Sequence, residues 1–193
     1  MTASPYVLLD DSLTPGGRSL LYTEPEEIIS ASAPDEVNVA LDAVSAGLAR
    51  GLHAAGFFSY ELGYCLEPKL SGLLPADRSV PLFWIGLFRA SQPLDDAYTR
   101  GWLEAHGAAD RAKISNLRLS WSREQYRNAF NKVEDYIAAG DVYQINLTLK
   151  YLFAFEGDPV ALYAALRRKQ RVAYSALIDT GEVPEGLTLP DQK

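Results

Sequence analysis

The spacing of apolar and polar residues changes several times along the chain, and each spacing predicts a secondary-structure element. Two short apolar runs, Tyr6–Asp10 and Ser19–Tyr22, flank a turn rich in proline and glycine, which predicts a pair of antiparallel strands. Apolar side chains recur at helical spacing between Val37 and Leu48, which predicts an amphipathic helix that ends at Gly51. This part of the chain therefore mixes strands with a helix.

Aromatic and nearly continuous apolar runs follow, and they predict strands that are covered on both faces. These runs are Ala54–Tyr64 and Pro81–Phe88. Residues 91–112 have few β-branched side chains, which predicts a loose connection with a weakly specified helix over Asp95–Gly107. Ile114–Trp121 predicts another strand after that connection.

The clearest local signals lie in the second half of the chain. Ser122 and Gln125 form a capping box for a helix that Gly140 ends. The apolar period then changes to two over residues 143–155, which predicts one long strand. The polar face of this predicted strand carries Gln144, Asn146, Thr148 and Lys150.

The last part of the chain predicts one more helix, one more strand and a tail. Asp158 and Pro159 favour a helix that ends near Arg168, and Ala173–Ile178 predicts a strand. The residues after Val183 show no periodicity, which predicts a frayed tail.

Composition and charge narrow the class of protein. The chain has 193 residues, of which 48% are hydrophobic and 22% charged, as in ordinary globular proteins. Its formal net charge of -7 argues against a basic surface for nucleic acid. Cys65 is the only cysteine, and neither a signal peptide nor a membrane-length apolar run is present, so we expect a cytoplasmic protein that does not bind membranes.

Self-contained catalytic motifs are absent from the sequence. His53 and His106 are isolated, and there is no Walker loop, dinucleotide fingerprint or nucleophile elbow. The acidic pairs at Asp10, Glu26 and Asp95 are most simply solvated charges, turn residues or helix caps, so we expect no metal ligands in this chain.

The junction at residues 140–148 carries the most informative pattern. A glycine that favours a left-handed helix end is followed by a strand pattern that projects amides and a hydroxyl to one side. The simplest interpretation is a half-exposed antiparallel strand. In a second interpretation, Gln144 and Asn146 line a cleft and orient a ligand through neutral hydrogen bonds.

Four segments together resemble a known family. They are GDVYQINLT at 140–148, GFFSYELGY at 56–64, FWIGLF at 83–88 and LLDD at 8–11. They are similar to component I of aminodeoxychorismate synthase, within the chorismate-utilising enzymes that also include anthranilate synthase component I. Tyr143 and Asn146 favour the aminodeoxychorismate branch over the anthranilate branch.

The resemblance implies a fold and a domain organisation. The expected fold is α+β, a mainly antiparallel two-sheet sandwich with flanking helices like that of anthranilate synthase component I, in truncated form. Residues 1–112 would be the N-terminal component I-like region, residues 113–180 the start of the chorismate-binding domain, and residues 181–193 a divergent tail.

The resemblance also implies a reaction and its residues. Complete members aminate chorismate to 4-amino-4-deoxychorismate for para-aminobenzoate and folate synthesis, with Mg2+ and a separate glutaminase subunit. Gln144 matches a position that is a lysine base in water-adding relatives, so it is the catalytic candidate, with Asn146 and Thr148 as substrate-binding candidates. An amide cannot accept a proton at neutral pH, which suits ammonia better than water as the nucleophile.

The family has a tryptophan pocket, an effector site, near its N-terminal LLES-like segment, and this chain has Asp11 in place of the serine. Asp10 and Asp11 match part of that segment, so they are effector-pocket candidates. The alternative is that these two carboxylates only end a strand.

The chain is much shorter than complete members and lacks counterparts of their metal-binding glutamates and P-I-K-G-T lysine. We therefore expect a truncated copy that binds no Mg2+, binds chorismate weakly or not at all, and is inactive alone. The alternatives are a non-catalytic module that docks a glutaminase subunit or binds an amino acid, and a fragment of an anthranilate synthase component I for tryptophan synthesis.

Overall fold

The computed structural model describes residues 4–107 and 112–181 and has an α+β architecture. Every strand pair in these residues is antiparallel, as the sequence predicted. The strands form three sheets in this part of the chain, and none of them closes into a barrel. The tail predicted for residues 181–193 lies, beyond residue 181, outside the described residues.

The helices and strands alternate irregularly along the chain. The strands are β1 (Tyr6–Asp10), β2 (Ser19–Thr23), β3 (Glu27–Ala31), β4 (His53–Phe58), β5 (Phe83–Phe88), β6 (Gln92–Leu94), β7 (Ala112–Leu119), β8 (Tyr151–Gly157) and β9 (Ser175–Asp179). The helices are α1 (Val37–Ala49), α2 (Leu62–Leu66), α3 (Asp96–His106), α4 (Arg123–Ala139) and α5 (Pro159–Lys169).

The chain divides into two compact units. The first unit comprises the described residues up to Leu103 and those from Leu166 onward, and the second comprises those from Glu104 to Ala165. The first unit holds the sheets β6-β2-β1-β9 and β3-β5-β4, and the second holds the two-stranded sheet β7-β8.

All six residues of strand β5 are buried, which identifies this strand as the centre of the first unit. Phe83, Ile85 and Leu87 belong to a cluster with apolar residues of α1, whereas Trp84 and Phe88 belong to a second cluster with Val7 and Tyr22 of the other sheet. One strand thus separates two apolar clusters, and the prediction of a strand covered on both faces is confirmed.

Glycine permits the close packing around β5. A Cβ atom at Gly86 would lie 2.6 Å from Phe88 Cε2, and one at Gly56 would lie 2.9 Å from the Cα atom of Ile85. Real Cβ atoms do not approach other atoms this closely, so both positions require a residue without a side chain.

The second unit is open in comparison. None of the residues of β7, α4 or β8 is buried. Strand β7 contains a bulge between Ser115 and Arg118, where Asn116 has a positive φ of 54°. These three elements therefore form no buried core among themselves.

Three sequence predictions differ from the structure. The strand predicted over Ala54–Tyr64 ends at Phe58, because Ser59 donates to Leu82 O and the chain then turns into α2. Strands β3 and β6 were not predicted. The strand predicted over 143–155 begins only at Tyr151, because residues 143–149 have no partner strand among the described residues.

Candidate functional site

The 140–148 segment begins at a well-defined helix end. Gly140 has φ 79° and ψ 12°, a left-handed conformation that favours glycine. Its N–H donates to Ile137 O at 3.1 Å, and the N–H of Asp141 donates to Tyr136 O at 3.0 Å. These bonds satisfy carbonyl groups of the last turn of α4 and fix the direction in which the segment leaves the helix.

Residues 142–149 then form no regular secondary structure. Within the described residues, their backbone N–H and C=O groups form no hydrogen bond. Just beyond the β7-β8 pairing, the C=O of Lys150 accepts from Ser120 N at 2.8 Å. The Tyr143 side chain is fully exposed.

Gln144 and Asn146, two of the predicted site residues, lie next to each other. Gln144 Nε2 donates to Asn146 Oδ1 at 3.4 Å, and both side chains are exposed. Apart from this bond, the two side chains make no hydrogen bond to a described residue, so their other amide donors and acceptors are available to a ligand.

Thr148 lies in a different environment from the two amides. It lines an open cavity of about 550 Å³ in the second unit, beside the rings of Trp121, Tyr126 and Tyr151. The structure therefore brings Gln144 and Asn146 together but does not place Thr148 in one pocket with them.

Asp10 is bound inside the first unit. Its side chain is 0% exposed and accepts from Arg167 Nε at 2.7 Å, from Arg167 Nη2 at 3.1 Å and from Ser19 Oγ at 2.8 Å. A buried carboxylate requires such partners because desolvation would otherwise cost several kcal/mol. Asp10 is thus engaged by protein groups.

Arg167 also binds a second carboxylate. Its Nη2 lies 2.9 Å from Asp96 Oδ1, and Arg100 and Arg171 lie within 4.0 Å of the same Asp96 side chain. Nearby, Arg171 Nε donates to Ser12 O at 2.6 Å, and Ser12 and Val172 exchange hydrogen bonds at 3.0 Å. These contacts join the end of β1 to the segment that leads into β9.

The contacts in this cluster shift the pKa values of Asp96 and Arg167. The hydrogen bond from Arg167 is the main cause that holds the pKa of Asp96 below its ordinary value. Burial alone would lower the pKa of Arg167, but its bonds to Asp10 and Asp96 outweigh burial and hold that pKa above its usual value.

The lowered pKa of Asp96 predicts a dependence of stability on pH. A carboxylate whose pKa is depressed by folding stabilises the folded state above its unfolded pKa, here 3.8, and that stability disappears as pH falls through the folded pKa. We expect the melting temperature of Asp96→Asn to fall less than that of the parent chain between about pH 4 and pH 2.

The control for this measurement is Asp42→Asn. Asp42 is an exposed residue of α1 that makes no ion pair with a described residue. The melting temperature of the Asp42→Asn variant should depend on pH as that of the parent chain does. Equal pH slopes for Asp96→Asn and the parent, measured by circular dichroism, would contradict the assignment.

Asp11 has a local role at the end of β1. Its Oδ1 accepts from the N–H groups of Leu13 and Thr14 at 3.1 and 2.9 Å, and the Thr14 N–H is the main cause that lowers the pKa of Asp11. Asp10 and Asp11 both line an open cavity of about 550 Å³ in the first unit, together with Arg18 and Tyr174. The structure thus places both effector-pocket candidates at a cavity wall, with most of their oxygen acceptors already engaged.

Sequence reasoning missed Arg167 and Asp96 as members of the ion-pair cluster around Asp10. The sequence pattern placed Arg167 near the end of a predicted helix and Asp96 in an acidic pair with Asp95, and it did not connect either residue to Asp10. The available signal was the carboxylate of Asp10 in an apolar strand, because a buried acid predicts a basic partner. Nothing in the local pattern indicates which of the distant arginines it is.

Residues 4–107 and 112–181 contain no group of three or more His, Cys, Asp or Glu side chains that could hold a metal ion. Among the same residues, no helix has the length and apolar character needed to cross a bilayer.

Comparisons with known proteins agree with the motifs. The family model for chorismate binding enzymes matches residues 5–184. The chain is 32% identical to aminodeoxychorismate synthase component 1 of Klebsiella aerogenes over 145 residues, 67% of this chain and 32% of that protein. It is 27% identical to the protein of the same name from Escherichia coli K12, over 65% of this chain and 31% of that protein.

A protein of the anthranilate branch is similar as well. Anthranilate synthase component 1 of Thermus thermophilus is 32% identical over 123 residues, 61% of this chain and 24% of that protein. The chain thus spans about a third or less of the length of these curated relatives. Because the family model covers nearly all of the sequence, the chain belongs to the chorismate-binding enzyme family.

Proposed function

We propose that this chain carries part of the chorismate site of an aminodeoxychorismate synthase component 1, which aminates chorismate to 4-amino-4-deoxychorismate. The observation that carries the proposal is the pair of adjacent amides, Gln144 and Asn146, in the GDVYQINLT segment inside the family match. The aminodeoxychorismate synthase relatives named above support this branch.

The chemistry of the amide pair suits amination. A neutral amide at Gln144 donates and accepts hydrogen bonds but removes no proton from water at neutral pH. Ammonia is already a nucleophile and needs no such base. Gln144 and Asn146 would therefore orient chorismate or ammonia.

The reaction of complete family members also needs a cation. Mg2+ in complete members would bind the carboxylates of chorismate and stabilise the departing hydroxide. The described residues assemble no carboxylate group for it. We therefore expect the 193-residue chain alone to bind chorismate weakly and to form no product.

We also propose a sandwich fold and a partner subunit for this chain. The first unit packs two antiparallel sheets against each other, which supports a sandwich like that of anthranilate synthase component I. The relatives are named component 1, which supports a second component, and we propose a glutaminase subunit that supplies ammonia.

The test uses the chain with and without a complementing fragment, defined as the part of the Klebsiella aerogenes component 1 outside its matched region. Chorismate, ammonium and Mg2+ are supplied, and products are separated by chromatography. We expect no product from the chain alone and aminodeoxychorismate from the co-expressed pair. Product from the chain alone, or anthranilate from the pair, would overturn the proposal.

The role of Gln144 is tested in the co-expressed pair. Gln144→Ala is expected to lower kcat by about 100-fold, the usual scale for a misplaced or missing positioning group. Asn38→Ala, at an exposed position of α1, is the matched control and should leave the rate unchanged. A rate for Gln144→Ala within twofold of the control would rule out the assigned role.

A further inference from the structure

Strand β8 has an open edge that pairs with no described residue. Among residues 112–181 the strand pairs with β7 alone, and its first five residues, YLFAF, carry no charge and no proline. A strand of this composition is a template on which another strand can pair. The outer edge of β7 is different, because a bulge and the charged residues Lys113 and Arg118 discourage pairing there.

The backbone groups that lie on the open edge follow from Lys150, the residue before β8. Its N–H donates to Ser120 Oγ at 3.0 Å and its C=O accepts from Ser120 N at 2.8 Å, so both groups face the β7 side. In an antiparallel ladder, successive residues direct these groups to opposite sides. Tyr151, Phe153 and Phe155 therefore direct their N–H and C=O groups to the open edge.

The side chains of β8 are apolar and accessible. Tyr151 is 64% exposed, Phe153 45% and Leu152 37%. Phe153 also has no partner residue in the β7-β8 register, because it lies opposite the bulge in β7. Exposed apolar surface beside unpaired backbone is typical of a surface that binds another polypeptide.

We propose that two copies of this chain pair through β8, antiparallel to each other, about a two-fold axis at Phe153. The two-stranded sheets would then join into one sheet in the order β7-β8-β8-β7. Each copy uses its open edge, and the bulged edges of β7 lie outside, so the assembly closes as a dimer. This pairing goes beyond the proposed function and does not depend on it.

The sequence of β8 is complementary to itself in this register. With Phe153 opposite its own copy, Tyr151 lies opposite Phe155 of the second copy, and aromatic pairs across a sheet are favourable. The N–H and C=O groups on the two open edges then face one another, as antiparallel pairing requires. Lys150 lies opposite Glu156 of the second copy, so opposite charges meet at each end. Charge, aromatic side chains and hydrogen-bonding groups therefore all fit a second copy.

Sedimentation velocity of the 193-residue chain without chorismate tests for the dimer. We expect the mass of the 21.2 kDa chain to double as its concentration rises through the micromolar range, because a one-strand interface is small. Amide exchange at Tyr151, Phe153 and Phe155 should slow with the same dependence on concentration. A chain that stays monomeric at millimolar concentration, or that forms assemblies larger than a dimer, would overturn the proposal.

Charge reversal tests the register. Lys150→Glu and Glu156→Lys each place like charges opposite one another, so each variant should dimerise about tenfold more weakly than the parent. An equimolar mixture of the two variants brings opposite charges together again and should dimerise about tenfold more tightly than either variant alone. Glu156→Lys also removes an exposed ion pair with Lys113, but that pair is lost in the mixture as well.

Lys69→Glu is the matched control for charge. Lys69 is exposed in the first unit, and its reversal changes the net charge as Lys150→Glu does, so this variant should keep the parent's dimer affinity. A mixture of the two β8 variants that dimerises no more tightly than either one alone would rule out the register.

Phe153→Pro tests the backbone of the open edge. Proline removes an N–H that points to this edge and leaves the groups that face β7, so the variant should melt like Phe153→Leu, which keeps the N–H. Phe153→Leu should dimerise and Phe153→Pro should not; a dimer of the proline variant would mean that another surface associates. Protection of these amides only when the complementing fragment is present would overturn the inference and leave the proposed function standing.

Discussion

Replacing Arg167 by alanine is expected to lower the free energy of unfolding of the first unit by about 3–5 kcal/mol, the range for breaking a buried ion pair. The loss is large because the carboxylate of Asp10, with a side chain that is 0% exposed, would remain buried without its charged partner. Asp96 would also lose its ion pair with Arg167. Urea unfolding followed by tryptophan fluorescence measures the change.

Arg168→Ala is the matched control for this variant. Arg168 is the next residue of α5 and is exposed, so the same substitution should cost less than about 1 kcal/mol there. The double variant Asp10→Ala with Arg167→Ala should cost less than the sum of the two single variants, because it leaves no unpaired charge. Additive costs would show that the two side chains do not interact.

Phe88→Ala is expected to lower the free energy of unfolding by about 3–5 kcal/mol, the usual range for removing a buried phenylalanine. The Phe88 ring is fully buried and lies 5.3 Å from the ring of Tyr22, measured between centroids. Its neighbours in β4 and β5 are fixed by strand pairing, so they cannot close the cavity left behind. The same urea unfolding experiment checks the result.

Phe58→Ala provides the comparison, because Phe58 ends β4 and is 57% exposed. Its removal should cost less than about 1.5 kcal/mol, in proportion to the smaller apolar area that it buries. Equal losses for the two variants would mean that β5 is not the centre of the core.

Local signals in the sequence predicted much of the fold. The capping box predicted α4, and the structure has both of its hydrogen bonds, from Ser122 N to Gln125 Oε1 at 2.8 Å and from Gln125 N to Ser122 Oγ at 3.2 Å. The apolar run of β5 likewise predicted a strand buried on both faces. These features could be predicted because neighbouring residues in the sequence determine a helix cap or a buried strand.

Features that depend on partners distant in sequence could not be predicted from the sequence. The period-two pattern of residues 143–155 predicts a strand, but only Tyr151–Gly157 finds a partner, because pairing and not pattern decides whether a ladder forms. In the candidate site, the adjacency of Gln144 and Asn146 agrees with their alternation, whereas Thr148 lies in a separate cavity. The choice of Arg167 as the partner of Asp10 depends on tertiary packing alone.

The pairing of β1 with both β2 and β9 has a consequence for the order of folding. Tyr6 pairs with Thr23 nearby in sequence and with Asp179 far along the chain. During synthesis on the ribosome, β1 and β2 can form a hairpin early. The edge of β1 that pairs with β9 stays unpaired until residues 175–179 have emerged. Closing so long a loop is entropically costly and slow, so the nascent first unit exposes a sheet edge for most of its translation.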